Sequence, residues 1–195
     1  MKVNRFYYFF RALVTPLLHI IFPFRIEGRE NIPADGAVML CSNHVSMIDP
    51  LFITMATKRY IRFISKKELF DNRFLNWFFT HLGMFPVARG ESDMSAMRTS
   101  ISILKDGGAL GIFPQGHRYK HDDHRKIETG AAIMALRARV TVVPIHVRGP
   151  VRPFRRSEIR IGRPVPLDDI RRIDAPGLAE ANDRLIEAIW SEEKD

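Results

Sequence analysis

Two residues of this sequence have the types and the spacing for acid–base chemistry, His44 and Asp49. An apolar run at 37–41 precedes the pair, and a second run at 51–56 follows it. The first run has the length and composition of a buried strand. Asp49 and Pro50 predict a helix start, because Asp is a favoured N-cap and Pro is favoured at the first helical position. The pair is therefore expected at a strand-to-helix turn.

The expected turn decides what the pair is able to do. On one continuous helix, residues five apart lie about 140° apart around the axis and do not meet. On a turn, the carboxylate of Asp49 holds the imidazole of His44 in one tautomer and leaves its other nitrogen free to accept a proton. Such a pair activates a hydroxyl or a water that comes from outside the chain. The alternative is that Asp49 only caps a helix and His44 only occupies a turn.

Charge and length narrow the class of protein. The chain has 195 residues, which suits one domain, and its net charge is +8. A basic surface indicates an anionic partner, which is nucleic acid, anionic lipid or a phosphorylated small molecule. The sequence has no zinc finger and no aromatic RNA-binding signature, so nucleic acid is not expected. The single cysteine, Cys41, lies in an apolar run, which favours a core residue over a nucleophile.

A histidine-rich segment raises the question of a metal. His117, His121 and His124 lie close together in the sequence, with Asp122 and Asp123 between them. Their spacing matches no established metal site, and a solvated loop explains it better. No metal is expected.

The segment 6–24 is strongly apolar but is interrupted by Arg11, Pro16 and His19. A membrane-spanning helix needs about 20 apolar residues with few charges, so this segment is borderline in length and its apolar run is broken in the middle. It lacks the small-residue cleavage site of a secretory signal. An interfacial helix, a short span and a core helix all remain open, and the aromatic residues with basic flanks favour the interface.

Strand and helix patterns alternate along the rest of the chain. Strands are expected at 24–28, 37–41, 60–65, 84–90, 109–113, 140–147 and 157–162. Helical patterns follow most of them, at 51–56, 72–82, 94–104, 128–136 and 178–190. This alternation predicts an α/β fold, a single domain with a mainly parallel central sheet flanked by helices. An apolar, membrane-associating segment at 1–24 is expected to precede that domain, which would comprise 25–195.

Polar residues follow several of the expected strands. Asn43 and His44 follow the second strand, Arg89 ends the fourth, and Gln115 and Gly116 follow the fifth. Ligand sites of open parallel sheets collect at the carboxyl ends of their strands. These residues are therefore expected at one edge of the sheet. The strand at 140–147 contains Pro144, which predicts a bend or an interruption of its pairing.

Four blocks in this order resemble the glycerolipid acyltransferases, specifically the 1-acyl-glycerol-3-phosphate acyltransferase (lysophosphatidic acid acyltransferase) family. Residues 43–49 look like its His-x-x-x-x-Asp block, and 83–89 look like its second block, which ends in a substrate-binding arginine. Residues 113–118 look like its Phe-Pro-Glu-Gly-Thr-Arg block, and 142–145 look like its proline-containing fourth block.

The resemblance implies a reaction and a set of site residues. A fatty acyl group would pass from acyl-CoA or acyl carrier protein to the free hydroxyl of lysophosphatidic acid, giving phosphatidic acid for phospholipid biosynthesis. His44 would be the general base, Asp49 would orient it, and backbone donors near the turn would serve the oxyanion. No metal and no cofactor beyond the thioester would take part. The residues expected to bind substrate are Asn43, Arg89, Gln115, Gly116 and Arg118.

The third block departs from the family pattern at two positions. Gln115 stands where the family usually has Glu, and His117 stands where it usually has Thr. Gln keeps the hydrogen-bonding reach of Glu but loses its charge, while the retained Arg118 still predicts an anionic acceptor. Another lysophospholipid or an amino-lipid acceptor therefore stays open, as does a non-catalytic, basic membrane-binding protein.

Membrane contact follows from the same resemblance. The expected partners are a membrane surface with anionic lipid and, in addition to the substrates, acyl carrier protein. The expected location is the cytoplasmic face of the cell membrane, either peripheral or with one short N-terminal anchor.

Two residue sets have open interpretations. An aromatic set either lines an acyl channel, touches membrane or simply packs, and it comprises Phe70, Phe74, Trp77 and Phe78. A basic set either binds membrane or phosphate or is a solvated face, and it comprises arginines 148, 152, 155, 156 and 160.

Overall fold

The computed structural model describes residues 4–87, 94–119, 126–149 and 151–191. The strands are β1 (Phe24–Glu27), β2 (Val38–Ser42), β3 (Ile61–Lys66), β4 (Met84–Val87), β5 (Ala109–Ile112), β6 (Thr141–Arg148) and β7 (Ser157–Ile161). The helices are α1 (Arg5–Ile21), α2 (Asp49–Ala56), α3 (Arg73–His81), α4 (Met94–Lys105), α5 (Gly130–Ala138) and α6 (Ala175–Trp190).

The strands form one sheet in the order β1-β7-β6-β2-β5-β3-β4. All of its pairs are parallel except β6 with β7, which is antiparallel. Helices cover both faces, because Met39 and Cys41 of β2 pack with α4, α5 and α6, whereas Val38 and Leu40 pack with α1 and α2. The expectation of a mainly parallel, helix-flanked sheet is therefore confirmed.

Pro144 marks a change of pairing partner within β6, as its missing N–H predicts. Before it, Val142 pairs with Val165 in an isolated antiparallel bridge. After it, Ile145 begins the antiparallel ladder with β7. The carboxyl end of β6 therefore leads through a short connection, 149–156, into β7.

Helix α1 runs unbroken through Pro16. Asn4 caps the helix, since its Oδ1 accepts from the Tyr7 N–H at 3.0 Å. The Asn4 amide also donates to the His81 carbonyl at 2.7 Å, and Tyr7 and Leu18 are buried. One side of α1 is thus fixed to the body of the protein. None of the helices in the described ranges is long and apolar enough to cross a membrane.

The other side of α1 is apolar and exposed. Its residues Phe9, Leu13, Leu17 and Ile20 recur at helical spacing and are all more than half exposed. Helix α3 lies beside α1 through aromatic contacts, including Phe6 with Trp77 at a centroid distance of 5.2 Å. Helix α3 itself buries no residue. We call the exposed apolar surface of these two helices the α1–α3 face; it comprises Phe9, Leu13, Leu17, Ile20, Phe74 and Trp77.

Gly111 of β5 lets the ring of Phe63 approach the backbone closely. A Cβ at this position would lie 2.2 Å from Cε1 of Phe63. The Phe63 ring stacks in turn on Phe113, the first residue after β5, at a centroid distance of 6.3 Å. A glycine is therefore required here by space rather than by backbone conformation.

We expect Gly111→Ala to lower the free energy of unfolding by about 1–3 kcal/mol, because the added methyl group displaces the Phe63 ring in a packed core. Gly130→Ala is the matched control, since a Cβ added there would have no atom within 4 Å and its change is expected within about 1 kcal/mol. Urea unfolding followed by circular dichroism measures both. Equal stabilities of the two variants would contradict the packing argument.

Candidate active site

Three neighbouring strands end at the edge of the sheet where the polar residues were expected. Strand β2 is hydrogen-bonded to β5 on one side and to β6 on the other, and all three run parallel. Asn43 and His44 directly follow β2, and Phe113 and Gln115 follow β5. Because parallel strands end at the same edge, these side chains come together.

His44 and Asp49 form the pair that their spacing predicted. Nδ1 of His44 lies 2.8 Å from Oδ2 of Asp49, and the Asp49 side chain is 0% exposed. The same Oδ2 accepts from the backbone N–H groups of Val45 at 2.8 Å and Ser46 at 2.7 Å. Asp49 is the first residue of α2, whose N-cap is Ile48 without a side-chain cap bond. The alternative that Asp49 only caps its helix is therefore wrong.

The turn is stabilised by charge-assisted hydrogen bonds at a favourable place for an anion. Three donors converge on one oxygen of Asp49, and bonds to an ionised acceptor are stronger than neutral ones. The carboxylate also lies at the N-terminus of α2, where the helix dipole favours negative charge. Its other oxygen, Oδ1, is buried without a hydrogen-bond partner in the described part of the chain.

The segment after β5 also holds His44. The Phe113 ring stacks on the imidazole with a centroid distance of 4.0 Å and an interplanar angle of 19°. Oε1 of Gln115 accepts from the His44 backbone N–H at 2.7 Å. The His44 carbonyl accepts from the Tyr119 N–H at 2.9 Å. Ring and backbone of His44 are thus positioned by one connected segment.

Asn43 joins the end of β2 to β6. Its Nδ2 donates to the Val147 carbonyl at 2.9 Å, and its Oδ1 accepts from the Val147 N–H at 2.7 Å. Asn43 is 0% exposed, and Gln115 is 3% exposed. Two residues that the sequence assigned to substrate therefore bind backbone groups in the structure. Sequence reasoning missed the stacking of Phe113, although its position at the start of the third block was a signal.

The remaining predicted site residues divide between the surface and the undescribed ranges. Gly116 has a φ of +69° and its N–H donates to the Phe113 carbonyl at 3.1 Å, which forms the turn after β5. Arg118 is exposed close to this turn. Arg89, and also His121 and His124 of the histidine-rich segment, lie outside the described residues. Within the ranges described, no group of three or more His, Cys, Asp or Glu side chains is arranged to hold a metal ion.

Backbone donors at the turn are largely occupied. The N–H of His44 donates to Gln115, and those of Val45 and Ser46 donate to Asp49. These three groups are therefore not available as donors to an oxyanion.

Cys41 is excluded as a nucleophile. It is 0% exposed in β2, and burial raises the pKa of its thiol to about 12. The thiolate is the reactive form, so this residue is inert near neutral pH. The interpretation of Cys41 as a core residue is confirmed.

An apolar crevice begins next to the turn. Pro50 and Leu51, which directly follow Asp49, line it together with residues of α1. Its volume is about 30 Å³, which leaves room for little more than a water molecule. The α1 side contributes Phe10, Val14 and Leu18, and Phe63 of β3 also lines it.

Comparisons with known proteins agree with this geometry. A family profile described as "Acyltransferase" matches residues 23–148. A 1-acyl-sn-glycerol-3-phosphate acyltransferase of Streptococcus pneumoniae (strain ATCC BAA-255 / R6) is 31% identical over 189 residues, which cover 92% of this chain and 70% of that protein. A protein of the same name from Bacillus subtilis (strain 168) is 32% identical over 127 residues, covering 65% of this chain and 63% of that protein.

A solved structure shares the fold. The crystal structure of the 1-acyl-sn-glycerophosphate (LPA) acyltransferase PlsC from Thermotoga maritima matches with a TM-score of 0.68 and 23% identity. The match covers 95% of this chain and 77% of that one. The matched profile includes most of the parallel sheet and the His–Asp turn at its carboxyl edge. The chain is therefore a protein of the acyltransferase class. Within that class, the chain belongs to the 1-acyl-sn-glycerol-3-phosphate acyltransferase family.

We expect the neutral imidazole of His44 to carry its proton on Nδ1, because Nδ1 faces the Asp49 carboxylate at 2.8 Å. Nitrogen-15 NMR of the imidazole at alkaline pH measures the tautomer directly. Asp49→Asn is the control, since its amide no longer requires a proton on Nδ1 and mixed tautomers are expected. A native spectrum with the proton on Nε2 would contradict this arrangement.

Proposed function

We propose that this chain transfers a fatty acyl group from an acyl thioester to the free hydroxyl of 1-acyl-sn-glycerol-3-phosphate, giving phosphatidic acid. The observation that carries the proposal is the His44–Asp49 pair, in which Nδ1 is bound at 2.8 Å and Nε2 is left to accept a proton. Membership of the family supports the choice of substrates. The thioester carrier is coenzyme A or acyl carrier protein.

The reaction requires one base and no enzyme nucleophile. Nε2 of His44 accepts the proton of the acceptor hydroxyl while the hydroxyl oxygen attacks the thioester carbonyl. The carbon–sulfur bond then breaks, and the carrier leaves as a thiol after it receives the proton from His44. The Asp49 carboxylate stabilises the imidazolium formed in between. The stacked Phe113 ring offers its π face to the same cation.

Asn43 and Gln115 are assigned positioning roles in this proposal, because both are buried and bind backbone groups. Gly116 and Arg118 lie in the loop that follows them and are exposed, so they are better placed to meet the acceptor phosphate. Arg89 has the same proposed role on the strength of its position in the second block.

The place of Gln115 also bears on the choice of acceptor. A neutral Gln in place of Glu was the reason to consider another lysophospholipid or an amino-lipid. Its Oε1 accepts from the His44 N–H, which a Glu carboxylate would do equally well. The departure therefore gives no argument for a different acceptor.

The exposed apolar surface suits contact with lipid. The crevice between α1 and α2 is lined mainly by apolar side chains and begins beside Asp49, but it is too narrow in this conformation to hold an acyl chain. The exposed α1–α3 face fits the interfacial region of a bilayer. Residues 1–24 would then provide membrane contact and 25–195 catalysis, at the cytoplasmic face where the thioester donors occur.

We expect His44→Ala to lower acyl transfer to lysophosphatidic acid by a factor of about 10²–10⁴, because general-base catalysis is lost. The assay uses detergent micelles and both donors, acyl-CoA and acyl carrier protein. Circular dichroism checks that the variant is folded, and His81→Ala is a control for removal of an imidazole remote from the turn. Equal activity of the wild type and His44→Ala would overturn the mechanism and favour a non-catalytic, membrane-binding protein.

We expect Gln115→Ala to lower kcat by about tenfold, because one hydrogen bond that orients His44 is lost and such a bond contributes about 1–1.5 kcal/mol. The KM for the acceptor should change little. Gln115→Glu should restore kcat, since its carboxylate accepts from the same N–H. A raised KM with unchanged kcat would show instead that Gln115 contacts the acceptor.

A further inference from the structure

The connection between β6 and β7 displays an exposed phenylalanine on a fixed backbone. Phe154 is 75% exposed and has a φ of +59°, a conformation that is uncommon for a residue with a bulky side chain. Its N–H donates to the Ile21 carbonyl at the end of α1 at 2.6 Å. The Arg155 N–H donates to the Arg152 carbonyl at 3.1 Å and closes a turn around it. The Phe154 ring is thus exposed to solvent on a backbone conformation that is unfavourable for its side chain. Nothing in the packing of the ring against the described residues compensates this cost.

Three arginines surround this ring in the sequence. Arg152, Arg155 and Arg156 are exposed, and their guanidinium groups make no hydrogen bond or ion pair in the described part of the chain. The neighbouring Arg160 differs, because it is paired with Glu158 at 3.1 Å. The segment 151–156 therefore combines one apolar side chain with three uncompensated positive charges. We call it the Phe154 loop.

The Phe154 loop lies at the same edge of the sheet as His44. Strand β6 runs parallel to β2, and Asn43 binds Val147 just before β6 ends. The turn beside His44 also exposes an apolar residue, Met47, which is 74% exposed. Through Ile21 the loop adjoins the end of α1, next to the exposed Ile20. Phe154 thus extends the α1–α3 face toward the edge that carries the His–Asp turn.

We propose that the Phe154 loop docks on an anionic bilayer and thereby turns the carboxyl edge of the sheet toward the membrane surface. The Phe154 ring enters the interfacial region, where aromatic side chains are favoured, and the three guanidinium groups bind lipid phosphates. This orientation would bring a bilayer-bound acceptor to His44, a role that rests on the proposed function. The loop begins after residue 148, where the matched family profile ends.

An acidic protein surface, such as that of acyl carrier protein, would also attract the three arginines. Two observations favour the bilayer. A membrane explains the exposed ring together with the charges, and it explains why the ring continues an apolar helical face rather than forming an isolated patch. The acidic protein is therefore an alternative outcome of the test.

The test compares two variants that lose the same charge at opposite edges of the sheet. The loop variant is R152Q/R155Q/R156Q. The control is R137Q/R139Q/R171Q, whose arginines are exposed around a crevice between the end of α5 and the segment after β7. Binding of the full chain is measured by cosedimentation with vesicles of phosphatidylcholine, with and without phosphatidylglycerol. Thermal unfolding confirms that both variants are folded.

We expect the loop variant to bind the anionic vesicles about a hundredfold more weakly than wild type, because three basic side chains at the surface are lost. The control variant should lose much less. Phe154→Ser should weaken binding to both kinds of vesicle, because it removes the inserted ring. Equal losses in the loop and control variants, or wild-type binding by the loop variant, would overturn the proposal.

Acyl transfer separates this proposal from the proposed function. The loop variant should keep wild-type activity on acceptor in neutral detergent micelles and lose activity on acceptor embedded in anionic vesicles. If the wild type transfers no acyl group in either format, the proposed function fails, while vesicle binding still decides the role of the loop. A loop variant that binds vesicles normally but loses transfer from acyl carrier protein alone would show that the loop docks the carrier instead.

Discussion

The buried carboxylate of Asp49 is the interaction on which the site depends. One of its oxygens accepts from the imidazole of His44 and from two backbone N–H groups of the turn. Without it, the turn would lose the bonds that define its shape, and the imidazole would lose its orientation. The carboxylate is shielded from water at the N-terminus of α2, so the helix dipole adds to the hydrogen bonds that compensate its burial.

The second constraint is the strand order of the sheet, which brings the residues that follow β2 and β5 next to the end of β6. His44 is held by the turn and by the segment after β5, while Asn43, the residue before it, binds the backbone of β6. Each of these contacts depends on strands β5, β2 and β6 being neighbours. The tight packing of Phe63 over Gly111 belongs to the same arrangement, because Phe63 backs the ring that stacks on His44. The core and the site are thus continuous.

Membrane contact and catalysis are linked through α1. One side of this helix lines the apolar crevice beside the turn, and the other side forms part of the exposed α1–α3 face. In the proposed function, α1 therefore meets the membrane with its exposed side and borders the site with its other side. The Phe154 loop, held to the end of α1 by the bond to Ile21, extends this surface to the edge of the sheet.

The sequence by itself determined the alternation of strands and helices and the turn that pairs His44 with Asp49, because periodicity and capping are local properties. It also predicted that Asn43, Gln115 and Gly116 would meet at one edge. Only the tertiary structure decided the partners of the buried polar groups. Gln115 binds the His44 backbone rather than standing free for substrate, and α1 continues through Pro16 because packing against the body of the protein outweighs the lost hydrogen bond. Both outcomes depend on contacts between residues far apart in the chain, which no local pattern encodes.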